Sequence, residues 1–380
     1  MVDDSVDSGV PGPPPDSTTI RRSIEVEYWV VDETGRLVEP DGLTDFPGVE
    51  REFVEPLLEI KTTPCETSEE LRTELLERIT RVVNRGKDIG KRLVPLATPI
   101  HEPEIGEIPS DRTRIQNDVV GENFEYVRHC AGTHIHVEQQ PGRSIEQLNT
   151  LVALDPALAL VNSSPYYEGR SVAVGGRSWL YRWMAYADLA HQGRLWRYVD
   201  SHDEWNRRIE RRYEEFVEAA RDHGVDRRDI VANFDPESAV WTPVQLRDEF
   251  NTVEWRSPDT ALPSQVLRVA DHIATVTAHL TETELRIEGD RGEIREDGII
   301  VPEFDTVLEY LNEAIEVGLE SEAVCGYLDR MGFQPDTYDP IAHEIDGREV
   351  VDREGAREIR LTYAQRLEEE VTRAAPVRRE

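Results

Sequence analysis

Polar and apolar side chains alternate in the segment Gly132-Thr133-His134-Ile135-His136-Val137-Glu138. A β-strand projects successive side chains to opposite faces, so His134, His136 and Glu138 share one face. The residues between them face the other way. The segment therefore predicts a strand with one apolar face and one face of imidazole and carboxylate groups.

Acidic and apolar side chains alternate in two more segments, Ile24-Glu25-Val26-Glu27 and Val253-Glu254-Trp255-Arg256. The same two-residue period places both glutamates of the first segment on one face, and it places Glu254 beside Arg256. If the three polar faces converge, at least three carboxylates share one cavity.

Converging carboxylates need positive charge between them. Two of them about 6 Å apart repel by about 3 kcal/mol at an effective dielectric constant of about 20. Several such pairs stay ionised only beside cations. Mg²⁺ prefers carboxylate oxygen ligands and commonly accompanies phosphate groups in enzymes. The pattern thus predicts Mg²⁺ and a phosphorylated substrate.

A further acidic segment, Glu52 to Thr62, reads as a strand interrupted at Pro56. Glu59 lies between apolar residues, where a carboxylate is costly to bury unless it is paired or metal-bound. Glu52 has the opposite strand parity, so both glutamates reach one site only if Pro56 marks a bulge. The alternative is an edge strand on the surface.

The composition limits the classes of partner. The 380 residues carry 77 Asp and Glu against 43 Lys and Arg, a net charge of −34. Such a charge repels nucleic acids and anionic lipids, and no apolar run is long enough to span a membrane. An acidic surface suits a salty cytoplasm, so we expect a halophilic, cytoplasmic protein without a secretory signal. Cys65, Cys130 and Cys325 form no CxxC pair, which favours a reducing compartment.

The pattern along the chain predicts one domain behind an acidic tail. Residues 1–19 are rich in Asp, Ser and Pro and are expected to be disordered. Residues 20–380 read as a single α+β domain with a helical C-terminal part from about 290 to 380. Thr67-Ser68-Glu69-Glu70 fits a capping box at the start of a long helix. Polar residues 101–121 predict a loop or lid.

Each motif has a simpler explanation when taken alone. The histidines could be half-buried structural residues, Glu254 and Arg256 a surface ion pair, and the acidic strands solvated faces. Arg177 follows Gly175-Gly176, a setting that suits carboxylate or phosphate capture, but most of the bases in this chain are arginines. GxxxxGK[ST] and GxGxxG motifs are absent, which disfavours P-loop and Rossmann nucleotide sites.

Taken in order, the segments resemble the glutamate–cysteine ligase family, also called carboxylate–amine ligases. The resemblance runs from about Ser23 to Leu280, roughly two thirds of the chain. It is carried by Ile24-Glu25-Val26-Glu27, Phe53-x-x-x-Leu57-Leu58-Glu59-Ile60-x-Thr62-x-Pro64, Gly132-x-His134-x-His136, Asn162-Ser163-Ser164-Pro165 with Arg177, and Val253-Glu254-Trp255-Arg256. Ser23 stands where the family usually has glycine.

The resemblance implies a saddle-like antiparallel sheet flanked by helices, a catalytic domain like that of glutamine synthetase. It also implies a reaction in which ATP and Mg²⁺ activate the γ-carboxylate of glutamate, and the amine of cysteine attacks the acyl phosphate. A different amine or carboxylate substrate and a non-catalytic Mg-ATP-binding relative are the alternatives, beside an unrelated acidic structural protein. The acceptor amine, the number of metal ions and the oligomeric state stay open, and a homo-oligomer is compatible with the sequence.

The resemblance also implies roles for single residues. The implied Mg²⁺ ligands are Glu25, Glu27, Glu52, Glu59, His134 and Glu254. Arg256 would stabilise the transferring phosphoryl group together with Glu254. Arg177 and His136 would bind substrate or nucleotide.

Overall fold

The computed structural model describes residues 19–374. Apart from Thr19, the tail predicted to be disordered lies outside the described residues. The strands are β1 Arg22–Asp32, β2 Val49–Arg51, β3 Leu57–Lys61, β4 Lys91–Val94, β5 Thr133–Glu138, β6 Tyr166–Tyr167, β7 Arg170–Ser171, β8 Val244–Arg247, β9 Thr252–Trp255, β10 Glu284–Ile287, β11 Glu293–Arg295 and β12 Gly298–Val301. The helices are α1 Ser68–Ile89, α2 Asp111–Val120, α3 Phe124–Arg128, α4 Ser144–Leu154, α5 Gly176–Trp179, α6 His202–Asp222, α7 Arg227–Asn233, α8 Pro236–Ala239, α9 Pro263–Glu282, α10 Phe304–Glu316, α11 Glu322–Arg330, α12 Ile341–Ile345 and α13 Arg353–Ala374.

The main sheet has seven strands, and each of its strand pairings is antiparallel. The strand order is β2-β3-β1-β5-β9-β8, with β4 also paired to β1. Helices flank this sheet, so the predicted α+β class is confirmed.

The apolar side of the sheet forms the core. Ile24 and Val26 of β1 and Ile135 of β5 are buried in one cluster with Leu75 of α1 and Val266 of α9. The alternation of side chains therefore leaves the polar residues of the same strands on the opposite face. That opposite face carries the site.

The capping box at the start of α1 is confirmed. The Thr67 hydroxyl accepts a hydrogen bond from the Glu70 N–H, and the Glu70 carboxylate accepts one from the Thr67 N–H, each 3.1 Å long. The two contacts satisfy amide groups that the first helical turn cannot pair. Local sequence was sufficient to place this helix start.

The predicted loop 101–121 is wrong in its second half, where residues 111–120 form α2. The Ser110 hydroxyl accepts a hydrogen bond from the Thr113 N–H at 3.0 Å and caps this helix. The weak apolar periodicity of this polar segment hid the helix. The helix matters because it lies over the polar face of the sheet.

The predicted strand from Glu52 to Thr62 is shorter in the structure. It begins only at Leu57, and Pro56 lies in the turn that joins β2 to β3. Proline has no N–H to donate to a strand partner, which favours its place in a turn. Glu52 therefore lies in the connection between the two strands.

The C-terminal part begins with the three-stranded sheet β10-β12-β11 and continues mainly as helices. Val301, Phe304 and Leu367 belong to the same hydrophobic cluster as Ile24 and Val26. No helix within residues 19–374 is long and apolar enough to cross a membrane.

Candidate active site

Strand register brings the polar residues of β1, β5 and β9 together. Glu25 lies opposite His134, and His136 lies opposite Glu254. The His134 Nδ1 atom is 3.4 Å from Glu25 Oε2 and 3.4 Å from Glu254 Oε1. The His136 Nε2 atom is 3.6 Å from Glu25 Oε2 and 3.7 Å from Glu254 Oε1. Both imidazoles therefore lie beside the same two carboxylates.

The cluster extends onto β3. We call the whole set the acidic row, and its members are Glu25, Glu27, Glu52, Glu59, His134, His136 and Glu254. Glu27 lies opposite Glu59, whose side chain is buried. Glu52 joins them from the β2–β3 connection, and ligand oxygens of the three residues lie within 4.8 Å of one another. The turn between β2 and β3, rather than a bulge within one strand, allows Glu52 and Glu59 to reach one site.

Three overlapping groups of side chains have the spacing of a metal site. Within each group the ligand atoms lie within 4.8 Å of one another. The groups are Glu25, His136 and Glu254; Glu25, Glu59 and His134; and Glu27, Glu52 and Glu59. The structure thus gathers the six sequence-predicted metal ligands, and it adds His136 as a candidate ligand.

The donor set of these groups fits Mg²⁺. Carboxylate oxygens dominate, as Mg²⁺ requires, and imidazole is an occasional partner. Among the described residues, the buried His136 Nε2 has no hydrogen-bond partner. A buried polar atom without a partner next to two carboxylates indicates a place for a ligand.

The end of the row on β3 carries several carboxylates close to one another. Burial and the charge of Glu27 raise the pKa of Glu52 to about 8. Burial and the neighbouring glutamates, Glu52 first, raise the pKa of Glu59 well above its ordinary value. The carboxylates at this end therefore repel one another strongly when ionised.

At the end of the acidic row on β9, nearby basic side chains offset the negative charge of the carboxylates. Burial alone would raise the pKa of Glu254, but the charges of Arg256 and the two histidines lower it to about 2. Burial likewise opposes ionisation of Glu25, yet the neighbouring His134 and His136 side chains lower its pKa. These two carboxylates are ionised at neutral pH and available to a cation.

Three arginines lie at the opposite side of the cavity from β3. The Arg256 Nε atom is 3.2 Å from Glu254 Oε1, and Arg247 Nη1 donates to Glu254 Oε2 at 3.1 Å. Arg112 of α2 lines the same cavity. Its guanidinium donates hydrogen bonds to the backbone carbonyls of Asn233 and Ser238. Sequence reasoning missed Arg247 and Arg112 because it did not predict β8 or α2.

Aromatic side chains form one wall of the cavity, which has a volume of about 550 Å³. The rings of Tyr181 and Trp241 stack with centroids 4.4 Å apart, and Tyr186 lies beside them. Phe250 lies at the rim, 54% exposed, with its ring 6.0 Å from that of His136. The volume is that of a typical small-molecule pocket.

Lys61 was also missed, although a signal for it exists in the sequence. It follows Glu59 by two residues, so strand parity places its side chain on the same face. Its Nζ atom is 2.8 Å from Glu59 Oε2. A cation therefore already lies within the acidic row.

Arg177 is placed beneath the cavity instead of among the residues that line it. It is 2% exposed, and its Nη1 atom donates to the backbone carbonyls of Arg256 and Ser257, each at 3.1 Å. Its guanidinium packs against Gly132, where a Cβ atom would lie 2.2 Å from Nη2. The role of Arg177 in substrate binding stays a prediction, whereas its contact with the backbone of the β9 segment is direct.

Two residues from the sequence analysis lie outside the cluster. Glu138 shares the polar face of β5, but its carboxylate pairs with Arg21 at 2.7 Å. Cys130 is buried, and burial raises its thiol pKa, so it is not an activated nucleophile. All three cysteines are free, as expected.

Comparison with known proteins gives one match in sequence and several in structure. The family model described as glutamate-cysteine ligase family 2 matches residues 22–294. None of the curated proteins matches the chain. The matched span contains each of the residues in the three candidate metal groups.

The solved structures that the chain resembles have low sequence identity. A bifunctional glutathione synthetase from Pasteurella multocida is 15% identical with a TM-score of 0.49; the match covers 93% of this chain and 53% of that one. This chain thus spans about half of that protein. A glutamate–cysteine ligase from Francisella tularensis in complex with AMP is 12% identical with a TM-score of 0.45, covering 95% and 96%. A glutamine synthase homologue is 14% identical with a TM-score of 0.33, covering 94% and 68%.

Proposed function

The chain belongs to glutamate–cysteine ligase family 2, and on that premise we propose that it is an ATP-dependent carboxylate–amine ligase. The proposed substrates are the γ-carboxylate of glutamate and the amine of cysteine, and the product is γ-glutamylcysteine. One observation carries the proposal: acidic and imidazole side chains from β1, β3, β5, β9 and the β2–β3 connection meet in three overlapping groups beside Arg256.

The acidic row supports a site for Mg²⁺ bound to the phosphates of ATP. The residues that would hold the ions are Glu25, Glu27, Glu52, Glu59, His134 and Glu254, joined by His136. Bound Mg²⁺ would neutralise charge on the phosphate oxygens of ATP. The rigid antiparallel strands position these ligands, and positioning with charge neutralisation supplies most of the catalysis in phosphoryl transfer.

The arginines support a place for the transferred phosphoryl group of ATP. Phosphoryl transfer spreads negative charge over the oxygens of the transferred group, and fixed guanidinium groups stabilise that charge. Arg256 is held by Glu254 and packs 5.5 Å from the centre of the Trp241 ring. Its position is therefore set before substrate binds. Arg247 and Arg112 line the same cavity and add positive charge.

The proposed reaction has two steps. A γ-carboxylate oxygen of glutamate attacks the γ-phosphorus of ATP, and the bond to ADP breaks. The amine nitrogen then attacks the activated carbonyl carbon, and phosphate leaves with the original carboxylate oxygen. The aromatic wall of Tyr181, Tyr186 and Trp241 would limit access of water to the acyl phosphate. Sulfur makes favourable contacts with aromatic rings, which suits a thiol-bearing acceptor.

The test supplies ATP, Mg²⁺, glutamate and cysteine in molar KCl, with ¹⁸O in the γ-carboxylate. We expect γ-glutamylcysteine and ADP in equal amounts, and one ¹⁸O atom in the released phosphate. Glu254→Gln should lose at least about 10²-fold in rate. The matched control is Glu320→Gln, since the Glu320 side chain is 79% exposed and does not line this cavity. Product without ¹⁸O in phosphate would contradict activation through an acyl phosphate.

The other candidates differ in the acceptor or in turnover. A ligase for another amine or carboxylate would release ADP with a different member of a substrate panel but not with cysteine. A non-catalytic relative would bind Mg-ATP and release no ADP with any amine. The panel therefore separates the three proposals.

A further inference from the structure

Lysine is rare in this chain, and one of its few lysines lies inside the acidic row. Lys61, Lys87 and Lys91 are the only lysines among 43 basic residues. Lys61 ends β3, and its ammonium group lines the candidate active site. The other basic residues of the cavity are arginines on the opposite side.

The Lys61 ammonium contacts carboxylates that a metal ion would use. Its Nζ atom is 2.8 Å from Glu59 Oε2 and 3.9 Å from Glu25 Oε1. Glu25 and Glu59 are also two members of the candidate metal group that His134 completes. A divalent cation bound there and the Lys61 ammonium would thus share the same pair of carboxylates.

The side chain of Lys61 also has a place to which it can withdraw. Its third contact is Glu50 Oε2 at 3.1 Å, and the Glu50 side chain is 62% exposed. Glu50 belongs to none of the three candidate metal groups. Lysine is a compact point charge on a flexible stem, whereas an arginine would present a wide planar fork. The ammonium can therefore keep Glu50 as its partner while it leaves Glu25 and Glu59.

We propose that Lys61 is a tethered cation that neutralises the acidic row in the metal-free protein and competes with Mg²⁺ for Glu25 and Glu59. The proposal rests on the proposed Mg²⁺ site and adds the residue that sets its affinity. Metal binding then requires the ammonium to move toward Glu50. The enzyme is ordered without metal, and it binds Mg²⁺ more weakly than its carboxylates alone would.

The test is calorimetric titration of MgCl₂ into the full chain in molar KCl, without nucleotide. Lys61→Met should bind Mg²⁺ about 5- to 30-fold more tightly than wild type, the factor expected for loss of one competing charged contact. Its metal-free form should melt at a lower temperature than the wild type. Lys61→Arg keeps the charge but presents a wide planar fork, so it should bind Mg²⁺ no more tightly than wild type.

The matched control is Lys87→Met, which makes the same substitution at a side chain that is 46% exposed and outside this cavity. It should leave Mg²⁺ affinity unchanged. Circular dichroism of Lys61→Met in molar KCl with Mg²⁺ checks that the variant is folded.

The other outcomes are distinguishable. Equal or weaker Mg²⁺ binding by folded Lys61→Met overturns the inference and leaves the ligase proposal intact. Unchanged Mg²⁺ affinity with weaker Mg-ATP binding would show that Lys61 binds phosphate instead, which also overturns it. Absence of Mg²⁺ binding by the wild type overturns the inference together with the metal site of the proposed function.

Discussion

Glu59 is the site residue whose burial the local sequence predicts best. Its neighbours Leu58 and Ile60 predict burial, and its carboxylate is buried within the acidic row. Strand parity also places Lys61 beside it. The identity of the residue across the strand, Glu27, depends on register, which the turns and the packing of the whole sheet determine. Local sequence therefore predicts which face a side chain takes, but not its neighbours.

Replacement of Glu59 should separate stability from activity. The pKa of folded Glu59 lies above its value in the unfolded chain, so ionisation destabilises the metal-free protein as pH rises above about 4. Glu59→Gln removes that loss and should raise the metal-free melting temperature at about pH 8, while activity falls about 10²-fold. Thermal unfolding at two pH values and ADP release check both. A lower melting temperature for the variant at the higher pH would contradict the proposed repulsion.

Gly132 should not tolerate a side chain. Its N–H donates to Glu27 Oε2 at 2.6 Å, and a Cβ atom would lie 2.2 Å from Arg177 Nη2. Gly132→Ala should therefore displace the Arg177 guanidinium and cost about 1–3 kcal/mol of unfolding free energy. Denaturant unfolding measures the cost, with Gly142→Ala as control, since a Cβ at Gly142 meets no atom within 4 Å. Gly142 has a positive φ of 76°, so the control includes backbone strain without the clash. A smaller cost at Gly132 than at Gly142 would argue against the packing role.

Among the elements, the strands with a strict two-residue alternation and the start of the capped helix α1 were predicted, whereas the polar helix α2 was not. The segments β1, β5 and β9 follow that alternation, and the structure confirms them as neighbours in one sheet. The helix α2 has little local signal, since its sequence is polar and its packing against α6 is a tertiary contact. The site needs both kinds of element, because most of the carboxylates come from strands and Arg112 comes from α2.

The strand β9 is anchored by a buried acid that the sequence did not reveal. Asp155 is fully buried and accepts hydrogen bonds from Trp255 Nε1 and Arg182 Nη2, each 2.8 Å long. The Ser257 hydroxyl donates to the same carboxylate. Trp255 and Ser257 are the neighbours of Glu254 and Arg256 along the chain, so Asp155 holds the strand that presents both site residues.

Loss of this anchor should be costly because it leaves a buried guanidinium without its carboxylate. Asp155→Ala should lower the unfolding free energy by about 3–5 kcal/mol. The double variant Asp155→Ala, Arg182→Met removes the unpaired charge and should be more stable than the single variant. Urea unfolding of the three proteins in molar KCl measures both effects. Equal stability of the single and double variants would contradict the ion-pair explanation.

For the whole molecule, the sequence pattern predicted the fold class, whereas the dependence on salt that the composition indicates stays a prediction. The C-terminal part could not be placed from sequence, because its contribution is apolar packing onto the common core at a distance along the chain. Arg360 of α13 is 1% exposed and donates to the carbonyls of Gly35, Pro99 and His101. Such long-range contacts have no local signal.

The net charge of −34 should make stability depend on salt. The Debye length is about 3 Å in 1 M salt and about 10 Å in 0.1 M salt, so dilution exposes the acidic surface to its own repulsion. We expect the melting temperature to fall by several degrees when KCl is lowered over this range. Sucrose at matched osmolality is the control, and it should not restore the melting temperature measured in 1 M KCl. A melting temperature that stays constant or rises on dilution would contradict the proposal of a halophilic protein.

The location of bound divalent ions would decide whether the carboxylates of β1, β3 and β9 form the metal site. Crystals grown with Mn²⁺ in place of Mg²⁺ and with an unreactive ATP analogue would reveal the ions by anomalous scattering. We expect anomalous peaks coordinated by Glu25, Glu59 and Glu254, with the analogue's terminal phosphate between them and Arg256. Peaks elsewhere, or a bound nucleotide whose phosphates do not approach these carboxylates, would contradict this expectation.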